Sequence, residues 1–406
     1  MSFFPKSLKS KSAGDIVILA AKRTPISRSK KGPLANSFPE ELLKQAIEGT
    51  INASGIERGL VEDVLVGTVL QNLGGQKASA LAVKSLGFPP STTINTINRQ
   101  CSSSAQALTY MANSIRCNDN KIAIAAGVES MTFDYFPHRG IPTRISPHLL
   151  STANQESKDV LMPMGITSEN VAKKYGISRN DQDLFAFESH VKALKARDSG
   201  HFAKEIVPVV THIPLDEEGK SFKTEVVTED DGIRSSISLK KLSELKPVFD
   251  ENGTTTAGNS SQISDGASAV LITTREVAES LNLKPVARYI SSSVAGVESK
   301  YMGIGPAVAV PKLLNKLGLG VNDINLWELN EAFASQSLYV IDKLKIDPKK
   351  VNIFGGAIAL GHPLGATGAR CISTLINALE TTGEEVGVVS MCTSTGQGYA
   401  GLIVKE

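Results

Sequence analysis

The chain has few of the residues that indicate a secreted or a metal-binding protein. Its 406 residues contain only four cysteines, Cys101, Cys117, Cys371 and Cys392. That number is too small for a disulfide framework in a chain of this length, so we expect a reducing compartment. The six histidines lie far apart and no C-x-x-C spacing occurs, so the usual zinc patterns are absent. We therefore predict no metal site.

A strong net charge and a long apolar run are also missing. The 43 basic and 41 acidic residues give a net charge of only +2, which provides no general field for nucleic acid or an anionic membrane. No apolar stretch reaches the length of a membrane span. We predict neither a nucleic-acid partner nor a membrane span, and the length predicts roughly two or three domains.

Strand-like and helix-like segments alternate along the first third of the chain. Residues 15–21 form a continuous apolar run typical of a buried parallel strand. A helical pattern at 40–52, a strand at 64–67, a helix after Lys77 and a strand at 93–97 follow. This alternation predicts an α/β fold. The preceding segment, 1–14, is rich in lysine and serine, and we interpret it as a flexible N-terminal arm.

Two segments carry candidate catalytic residues. Residues 98–104 place Cys101 at the start of a predicted helix, where free backbone N–H groups and the helix dipole favour a thiolate. Residues 355–369 place His362 on a glycine-rich turn that opens into a helix of small residues. We predict a nucleophile and a base.

The two segments belong to similar halves of the chain. The helix after Cys101 leads into a strand at 121–131, and the helix after His362 leads into a strand at 385–392. The pattern indicates a repeated α/β unit. If the halves pack about a pseudo-twofold axis, Cys101 and His362 face each other.

A different region, 132–262, interrupts the repeat with proline, methionine and charge. Within it, 178–200 is a predicted helix with Ser178 as its N-cap. The polar stretch 229–234 reads as a solvated turn on spacing alone. The alternative is that Arg234 serves as a cation for a nucleotide.

Six motifs, in order, resemble those of the thiolases, most closely the degradative 3-ketoacyl-CoA thiolases of the peroxisomal type. They are NRQCSS at 98–103, GVESM at 127–131, MGITSENV at 164–171, AGNSS at 257–261, NEAF at 330–333 and the glycine-rich stretch 355–368. The resemblance covers 15–405. It implies a thiolase fold of two repeated α/β halves, with mixed five-stranded sheets in a layered αβαβα arrangement.

The resemblance also implies a domain division and an assembly. The N-terminal half takes in 15–131 and 263–285, the inserted loop domain 132–262 covers a coenzyme A channel, and the C-terminal half is 286–406. A homodimer or larger homo-oligomer is expected. Coenzyme A is a co-substrate, and no tightly bound cofactor is expected.

The catalytic roles implied by the resemblance are specific. Cys101 attacks a 3-ketoacyl-CoA, His362 takes its proton, and Cys392 is the second acid and base. Asn330 holds a water that forms an oxyanion site with His362. The resemblance also implies that the backbone N–H groups of Cys101 and Ser394 form a second oxyanion site. It assigns Ser261 to the pantetheine arm of coenzyme A and Arg234 to its adenine. Cys117 and Cys371 match no catalytic position and are assigned to packing.

Two of these residues have structural alternatives. Asn330 could be a helix N-cap ahead of 331–333. Glu331 could orient a neighbour or cap a helix.

Ser394 departs from the family pattern. After Cys392 the family reads Cys-x-Gly-x-Gly, whereas this chain reads CTSTGQG over 392–398. A glycine there would allow a positive φ that serine disfavours. We therefore expect an active enzyme that is slow or restricted in chain length. Ser104, where glycine is common in the family, is a milder change.

Four functions compete. Degradation of medium or long 3-ketoacyl-CoA in β-oxidation is favoured by Ile166, because biosynthetic acetoacetyl-CoA thiolases usually carry a histidine there. A decarboxylating condensing enzyme would need a second histidine in place of Asn330. A silent coenzyme A or acyl-CoA binder is the alternative raised by Ser394.

The compartment is expected to be the peroxisome, by resemblance alone. Residues 1–14 lack an Arg-Leu-x5-His-Leu signal, and 403–406 differ from Ser-Lys-Leu. A mitochondrial or cytosolic location is the alternative.

Overall fold

The computed structural model describes Leu8 and residues 10–216 and 221–406. Its main feature is a ten-stranded mixed sheet, with a separate two-stranded hairpin. The strands are β1 (Ile16–Arg23), β2 (Ser27–Arg28), β3 (Asp63–Gly67), β4 (Thr93–Ile97), β5 (Ile122–Ser130), β6 (Val209–Pro214), β7 (Phe222–Val227), β8 (Ser264–Thr274), β9 (Ala287–Gly296), β10 (Leu326–Leu329), β11 (Val386–Thr393) and β12 (Gln397–Lys405).

The sheet consists of two runs with the same strand order. In the first half the order is β1-β8-β5-β3-β4, and in the second it is β9-β12-β11-β10. The fifth place in the second run is taken by a single parallel bridge between Trp327 and Val351. The predicted repeat is confirmed. The two runs join through a short antiparallel ladder in which Val17 lies opposite Arg288, so the five strands of the first and the four of the second form one continuous sheet.

Helices cover both faces of this sheet. They are α1 (Pro39–Ser54), α2 (Gln76–Ser85), α3 (Ser103–Arg116), α4 (Met131–Asp134), α5 (Pro147–Thr152), α6 (Gln155–Asp159), α7 (Met164–Tyr175), α8 (Arg179–Asp198), α9 (Leu239–Ser243), α10 (Arg275–Ser280), α11 (Gly305–Leu317), α12 (Ala334–Leu344), α13 (Ala357–Leu360) and α14 (Thr367–Thr382). Short 3-10 turns lie at Arg58–Leu60, Asn72–Gly75, His201–Lys204, Ser299–Ile304, Val321–Asp323 and Pro348–Lys350. In the described part of the chain, no helix has both the length and the apolar character needed to cross a membrane.

The two helices that follow the candidate catalytic residues pack against each other. A Cβ added at Gly368 on α14 would lie 2.4 Å from the backbone nitrogen of Ala105 on α3, so only glycine permits this approach. The Ala369 N–H donates to Oγ of Ser104 at 2.9 Å. Because α3 and α14 begin just after Cys101 and His362, this contact brings the two helix starts into one region.

The insertion contains α5 to α9 and the β6–β7 hairpin. Ser178 accepts a hydrogen bond from the Asp181 N–H at 3.1 Å, which confirms the predicted N-cap of α8. The boundaries predicted between the halves and the insertion stay a prediction.

The reading of 229–234 as a solvated turn is wrong at Asp230. This carboxylate is buried and accepts two hydrogen bonds from the Arg23 guanidinium, at 2.7 and 2.9 Å. Arg23 also donates to Glu205 at 2.6 Å. A fully buried guanidinium needs opposite charge nearby, and the polar stretch supplies it.

The N-terminal arm is described only in part. Residues 1–7 and 9 lie outside the described residues. Leu8 is buried in the hydrophobic cluster of the second half. The Arg288 guanidinium donates to the carbonyls of Leu8 and Ser10, which ties this part of the arm to β9.

Candidate active site

Cys101 lies in a tight turn between β4 and α3. Gln100 takes the left-handed conformation with φ of 48°. The Ser103 N–H donates to the Gln100 carbonyl at 3.0 Å, and the Arg99 N–H donates to Ser103 Oγ at 2.9 Å. These bonds fix Cys101 ahead of α3, with 7% of its surface exposed.

The expectation of a resting thiolate at Cys101 is wrong. Burial raises the pKa of the thiol to about 11, and the Glu129 carboxylate acts in the same direction. Hydrogen bonds from the backbone N–H groups of Ser394 and of Cys101 itself lower the pKa, but burial outweighs them. The nucleophile is therefore a thiol that must lose its proton when it reacts.

His362 is held by the glycine-rich turn predicted from the sequence. Gly361 has φ of 109°, and a Cβ there would lie 2.3 Å from Ser264 Oγ. The His362 N–H donates to the Gln262 carbonyl at 3.1 Å. His362 is 5% exposed, so the turn holds the imidazole away from bulk solvent.

A hydroxyl fixes the tautomer of His362. Nδ1 lies 2.7 Å from Thr367 Oγ1, and that hydroxyl donates its own proton to the Pro363 carbonyl at 2.9 Å. Thr367 must therefore accept from Nδ1–H, which leaves the Nε2 lone pair as an acceptor, toward which the Asn330 Nδ2–H donates at 3.4 Å. Burial lowers the pKa of His362 to about 3, and the nearby Arg370 charge acts in the same direction. The ring is neutral at physiological pH, with Nε2 available as a base.

Asn330 lies beside that nitrogen. Its Nδ2 is 3.4 Å from His362 Nε2, and its backbone N–H donates to the Ser390 carbonyl at 2.9 Å. The side chain is buried, and Oδ1 makes no hydrogen bond to a described protein group. A buried carbonyl oxygen without a partner suits a bound water. The alternative reading of Asn330 as an N-cap is wrong, because Phe333 caps α12.

Glu331 orients the segment that leads to His362. Its carboxylate accepts from Ser189 Oγ at 2.7 Å, from Asn352 Nδ2 at 2.7 Å and from the Ile358 N–H at 3.2 Å. Both readings of Glu331 hold, because Ile358 lies in the first turn of α13, so the carboxylate caps that helix as well as orienting its neighbours.

Cys392 lies on β11, fully buried against Met302, Ala332 and Phe333. Burial raises the pKa of its thiol well above the usual range, and the neighbouring Cys101 raises it further. The two thiols are thus close enough to interact, as the predicted site requires.

Ser394 does not have the strained conformation expected for it. The left-handed residues of this turn are Thr395, with φ of 67°, and Gly396, with φ of 76°. The Ser394 N–H is directed at Cys101. The serine therefore keeps the donor that the family glycine provides.

A cavity of about 370 Å³ is lined mainly by residues of the insertion and reaches Gln262, whose carbonyl accepts from the His362 N–H. It is lined in part by Arg234, His190, Lys241 and Gly258. The Arg234 side chain is exposed, and its backbone N–H donates to His190 Nδ1 at 3.2 Å. Ser261 is three residues after Gly258, and its N–H donates to the Ala332 carbonyl at 3.0 Å. Ser261 thus lies between the cavity and the cluster around Cys392.

Comparison with protein families and known proteins agrees with this geometry. Residues 16–276 match the thiolase N-terminal domain, and residues 283–405 match the thiolase C-terminal domain. The chain belongs to the thiolase family. The family resemblance read from the six motifs is confirmed.

Individual thiolases are similar over nearly the whole chain. The peroxisomal 3-ketoacyl-CoA thiolase B of Rattus norvegicus is 47% identical over 96% of this chain and 90% of its own length. The dimeric peroxisomal thiolase of Saccharomyces cerevisiae superposes with a TM-score of 0.89 at 42% identity, covering 98% of this chain and all of that one. Human mitochondrial 3-ketoacyl-CoA thiolase in complex with CoA has a TM-score of 0.86 at 33% identity, covering 97% and 98%.

Sequence reasoning missed two residues of this thiolase site. Thr367 has no motif of its own, although a hydroxyl residue at the start of the helix after His362 was a signal. Glu129 is fully buried within the GVESM motif and accepts from the N–H groups of Val69, Leu70 and Gly365 at 3.1, 3.1 and 2.9 Å. Burial raises its pKa to about 7. Glu129 also raises the pKa of Cys101. Because it accepts from the Gly365 N–H as well, it connects the cysteine to the turn that carries His362.

Proposed function

We propose that this thiolase cleaves 3-ketoacyl-CoA with coenzyme A, giving acetyl-CoA and a shortened acyl-CoA in fatty acid β-oxidation. The observation that carries the proposal is the buried Cys101 thiol, which accepts a backbone hydrogen bond from Ser394. A neutral imidazole, an amide and a second thiol share the same region. The similarity to 3-ketoacyl-CoA thiolases supports the substrate class.

In the first half-reaction, His362 Nε2 takes the Cys101 proton while the sulfur attacks carbon 3 of the substrate. The S–C3 bond forms and the carbonyl electrons move to oxygen, where the N–H groups of Cys101 and Ser394 stabilise the charge. The C2–C3 bond then breaks. Its electron pair forms the enolate of acetyl-CoA, whose oxygen is held by His362 and a water on Asn330, and Cys392 protonates carbon 2.

In the second half-reaction, the Cys392 thiolate left by that step takes the proton of coenzyme A. The coenzyme sulfur attacks the acyl-Cys101 thioester through the same oxyanion site. Acyl-CoA leaves, and the Cys101 sulfur regains the proton held by His362. Both thiols and the imidazole return to their starting states, so each group is used twice per turnover.

Coenzyme A is proposed to enter through the cavity under the insertion, with 132–262 as its lid. Ser261 is assigned to the pantetheine arm and Arg234 to the adenine. The exposed guanidinium of Arg234 at the cavity edge and the position of Ser261 on the way to Cys392 support this path.

The alternative of a catalytically silent coenzyme A binder depended on a misplaced Ser394. The backbone of Ser394 is not in the left-handed conformation, which argues against that alternative. For the substrate, Ile166 in place of a histidine favours medium or long acyl chains over acetoacetyl-CoA. Activity on C4 and C16 substrates separates the degradative from the biosynthetic reading.

The assembly is proposed to be a homodimer. Strand β4 ends the sheet, and two of its five residues are exposed. Leu73, on the neighbouring turn, is 92% exposed. An open sheet edge beside a projecting leucine is typical of an interface between identical subunits. The peroxisome is the proposed compartment, supported by the names of the similar thiolases.

Mass spectrometry of the enzyme mixed with 3-ketoacyl-CoA tests the function. We expect a shortened acyl group on Cys101 and release of acetyl-CoA, with transfer to added coenzyme A. Cys101→Ala should show neither. A wild-type enzyme that forms no adduct with any chain length from C4 to C16 would contradict the proposal.

A further inference from the structure

The two turns that face each other at Cys101 each contain a left-handed residue other than glycine. Gln100, with φ of 48°, directly precedes Cys101, and Thr395, with φ of 67°, directly follows Ser394. For a β-branched residue such as Thr395 this conformation is a genuine outlier. Such residues persist only where the surroundings hold them, and they cluster at functional sites.

A chain of three hydrogen bonds connects these turns. Nη1 of Arg99 donates to Gln397 Oε1 at 2.6 Å, and Gln397 Nε2 donates to Thr395 Oγ1 at 3.0 Å. The Thr395 hydroxyl then donates to the Ser394 carbonyl at 2.5 Å. Arg99 belongs to the first half of the molecule and Gln397 to the second, so the chain crosses from the Cys101 turn to the Ser394 turn.

A second link crosses on the other side. Thr393 Oγ1 donates to Ser102 Oγ at 3.2 Å, and Ser102 Oγ donates to the Arg99 carbonyl at 3.0 Å. Thr393 and Ser102 are the immediate neighbours of Ser394 and Cys101. The two backbone donors therefore lie between two bonds that tie the halves together.

Stability alone does not explain the position of the half-buried Arg99 side chain. Its Nε is buried and makes no hydrogen bond with a described protein group. A buried donor without a partner lowers stability, because it has lost its water. The guanidinium is nevertheless held where Nη1 reaches Gln397.

We propose that Arg99 and Gln397 are positioning residues that fix the Ser394 N–H relative to Cys101 across the boundary between the halves. The inference rests on the proposed function, in which the two N–H groups stabilise the oxyanion formed when the S–C3 bond forms. Oxyanion-site donors stabilise the transition state because they are already held in position when the negative charge develops on the oxygen. The hydrogen bonds from Arg99 to Gln397 and onward set the distance between the Ser394 N–H and Cys101, although neither residue contacts the substrate.

The test measures acyl-Cys101 formation in single turnovers, steady-state kcat and KM, and Tm. Arg99→Met and Gln397→Met cut the link from either half, and Arg99→Lys keeps one donor. We expect the two methionine variants to lower kcat and the acylation rate by about 10- to 100-fold, somewhat less than outright loss of a donor. KM should change by less than about twofold, because the oxyanion exists only beyond the ground state.

Three comparisons separate positioning from a structural role. Arg99→Lys should recover most of the rate lost in Arg99→Met. The double variant should be no slower than the slower single variant, since both cut one link. Arg116→Met is the matched control: Arg116 also crosses between the halves, donating to the Ile290 carbonyl at 3.0 Å, and its loss should leave kcat unchanged.

Loss of the hydrogen bond from the Ser394 N–H should also raise the pKa of the Cys101 thiol. Because that bond lowers the pKa of Cys101, both methionine variants should need higher pH than the wild type for the same rate of alkylation by iodoacetamide. A variant that is merely less stable would shift this profile the other way, toward lower pH, because unfolding exposes a thiol of lower pKa.

Three outcomes would overturn a claim, two of them the positioning role and one the proposed function. If the wild type forms acyl-Cys101 and both methionine variants form it at the same rate, the positioning role is wrong. A raised KM with unchanged kcat would refute it as well. A wild type that forms no adduct instead refutes the proposed function. If Arg99→Met does not fold, Gln397→Met decides the question from the other half.

Discussion

The Thr367 hydroxyl lies 2.7 Å from Nδ1 of His362 and accepts a hydrogen bond from Nδ1–H, so a single threonine determines which imidazole nitrogen carries the proton. Thr367 is the first residue of α14, five residues after the histidine. The helix that packs against α3 therefore also selects the tautomer of the base.

Replacement of Thr367 by valine keeps the volume of the side chain but removes the acceptor. With Nδ1–H unpaired, the other tautomer becomes accessible and Nε2 loses its role as a base for part of the time. We expect Thr367→Val to lower kcat by roughly 10- to 100-fold, in line with the effect of outer-shell histidine partners. Thr367→Ser, which keeps the hydroxyl, is the control. Equal kcat values for the valine and serine variants would contradict the assignment.

The raised pKa of Cys101 predicts a pH profile for alkylation. Since the pKa lies near about 11, the thiolate fraction and the rate of reaction with iodoacetamide should keep rising beyond pH 9. Folding linkage has the matching sign: the proton is held more tightly in the folded state, so this stabilisation is present below the unfolded pKa near 9.0 and is lost toward pH 11. Peptide mapping identifies the modified cysteine. A rate that levels off between pH 7 and 8 would show that Cys101 rests as a thiolate.

Ser394→Gly tests the departure from the family pattern. Because Ser394 is not left-handed, glycine relieves no strain and only increases the freedom of the unfolded chain. We expect kcat to change by less than about threefold and stability to fall by about 1 kcal/mol or less. Steady-state kinetics and urea unfolding measure the two effects. A large gain in kcat would mean that the serine hinders the wild type.

The buried Arg23 predicts a large loss of stability. Arg23→Leu would leave Glu205 and Asp230 without their cation, at a cost of about 3 to 5 kcal/mol. Arg28→Leu is the control, since the Arg28–Asp231 pair is partly exposed and should cost about 1 kcal/mol or less. Urea unfolding measures both. Similar losses in the two variants would indicate that the buried network contributes little.

Much of the fold could be predicted from the sequence, because the relevant signals are local. The alternation of apolar runs and helical patterns indicated the repeated halves, and the hydroxyl of Ser178 indicated the start of α8. The continuous sheet could not be predicted in the same way. The ladder between Val17 and Arg288 joins residues far apart in the chain, and no local pattern records which strand edges meet.

The site prediction rests on residue type and position for Cys101 and His362, and their catalytic roles stay a prediction. The errors came from burial. A cysteine at a helix start suggested a thiolate, but removal from water has the larger effect on its pKa. Likewise, the sequence predicted a solvated Asp230, but Arg23, which is distant in the chain, contacts it. The left-handed conformation of Thr395 had no signal, since threonine rarely adopts it.

The close approach of Gly368 to Ala105 limits which substitutions this thiolase can accept without loss of activity. Each helix begins beside a reacting group, so the spacing of their axes also determines the span between sulfur and imidazole. A bulkier residue at Gly368 would widen that span while the outer layers stayed folded. Activity would then fall together with Tm, because overpacking two buried helices costs about 1 to 3 kcal/mol.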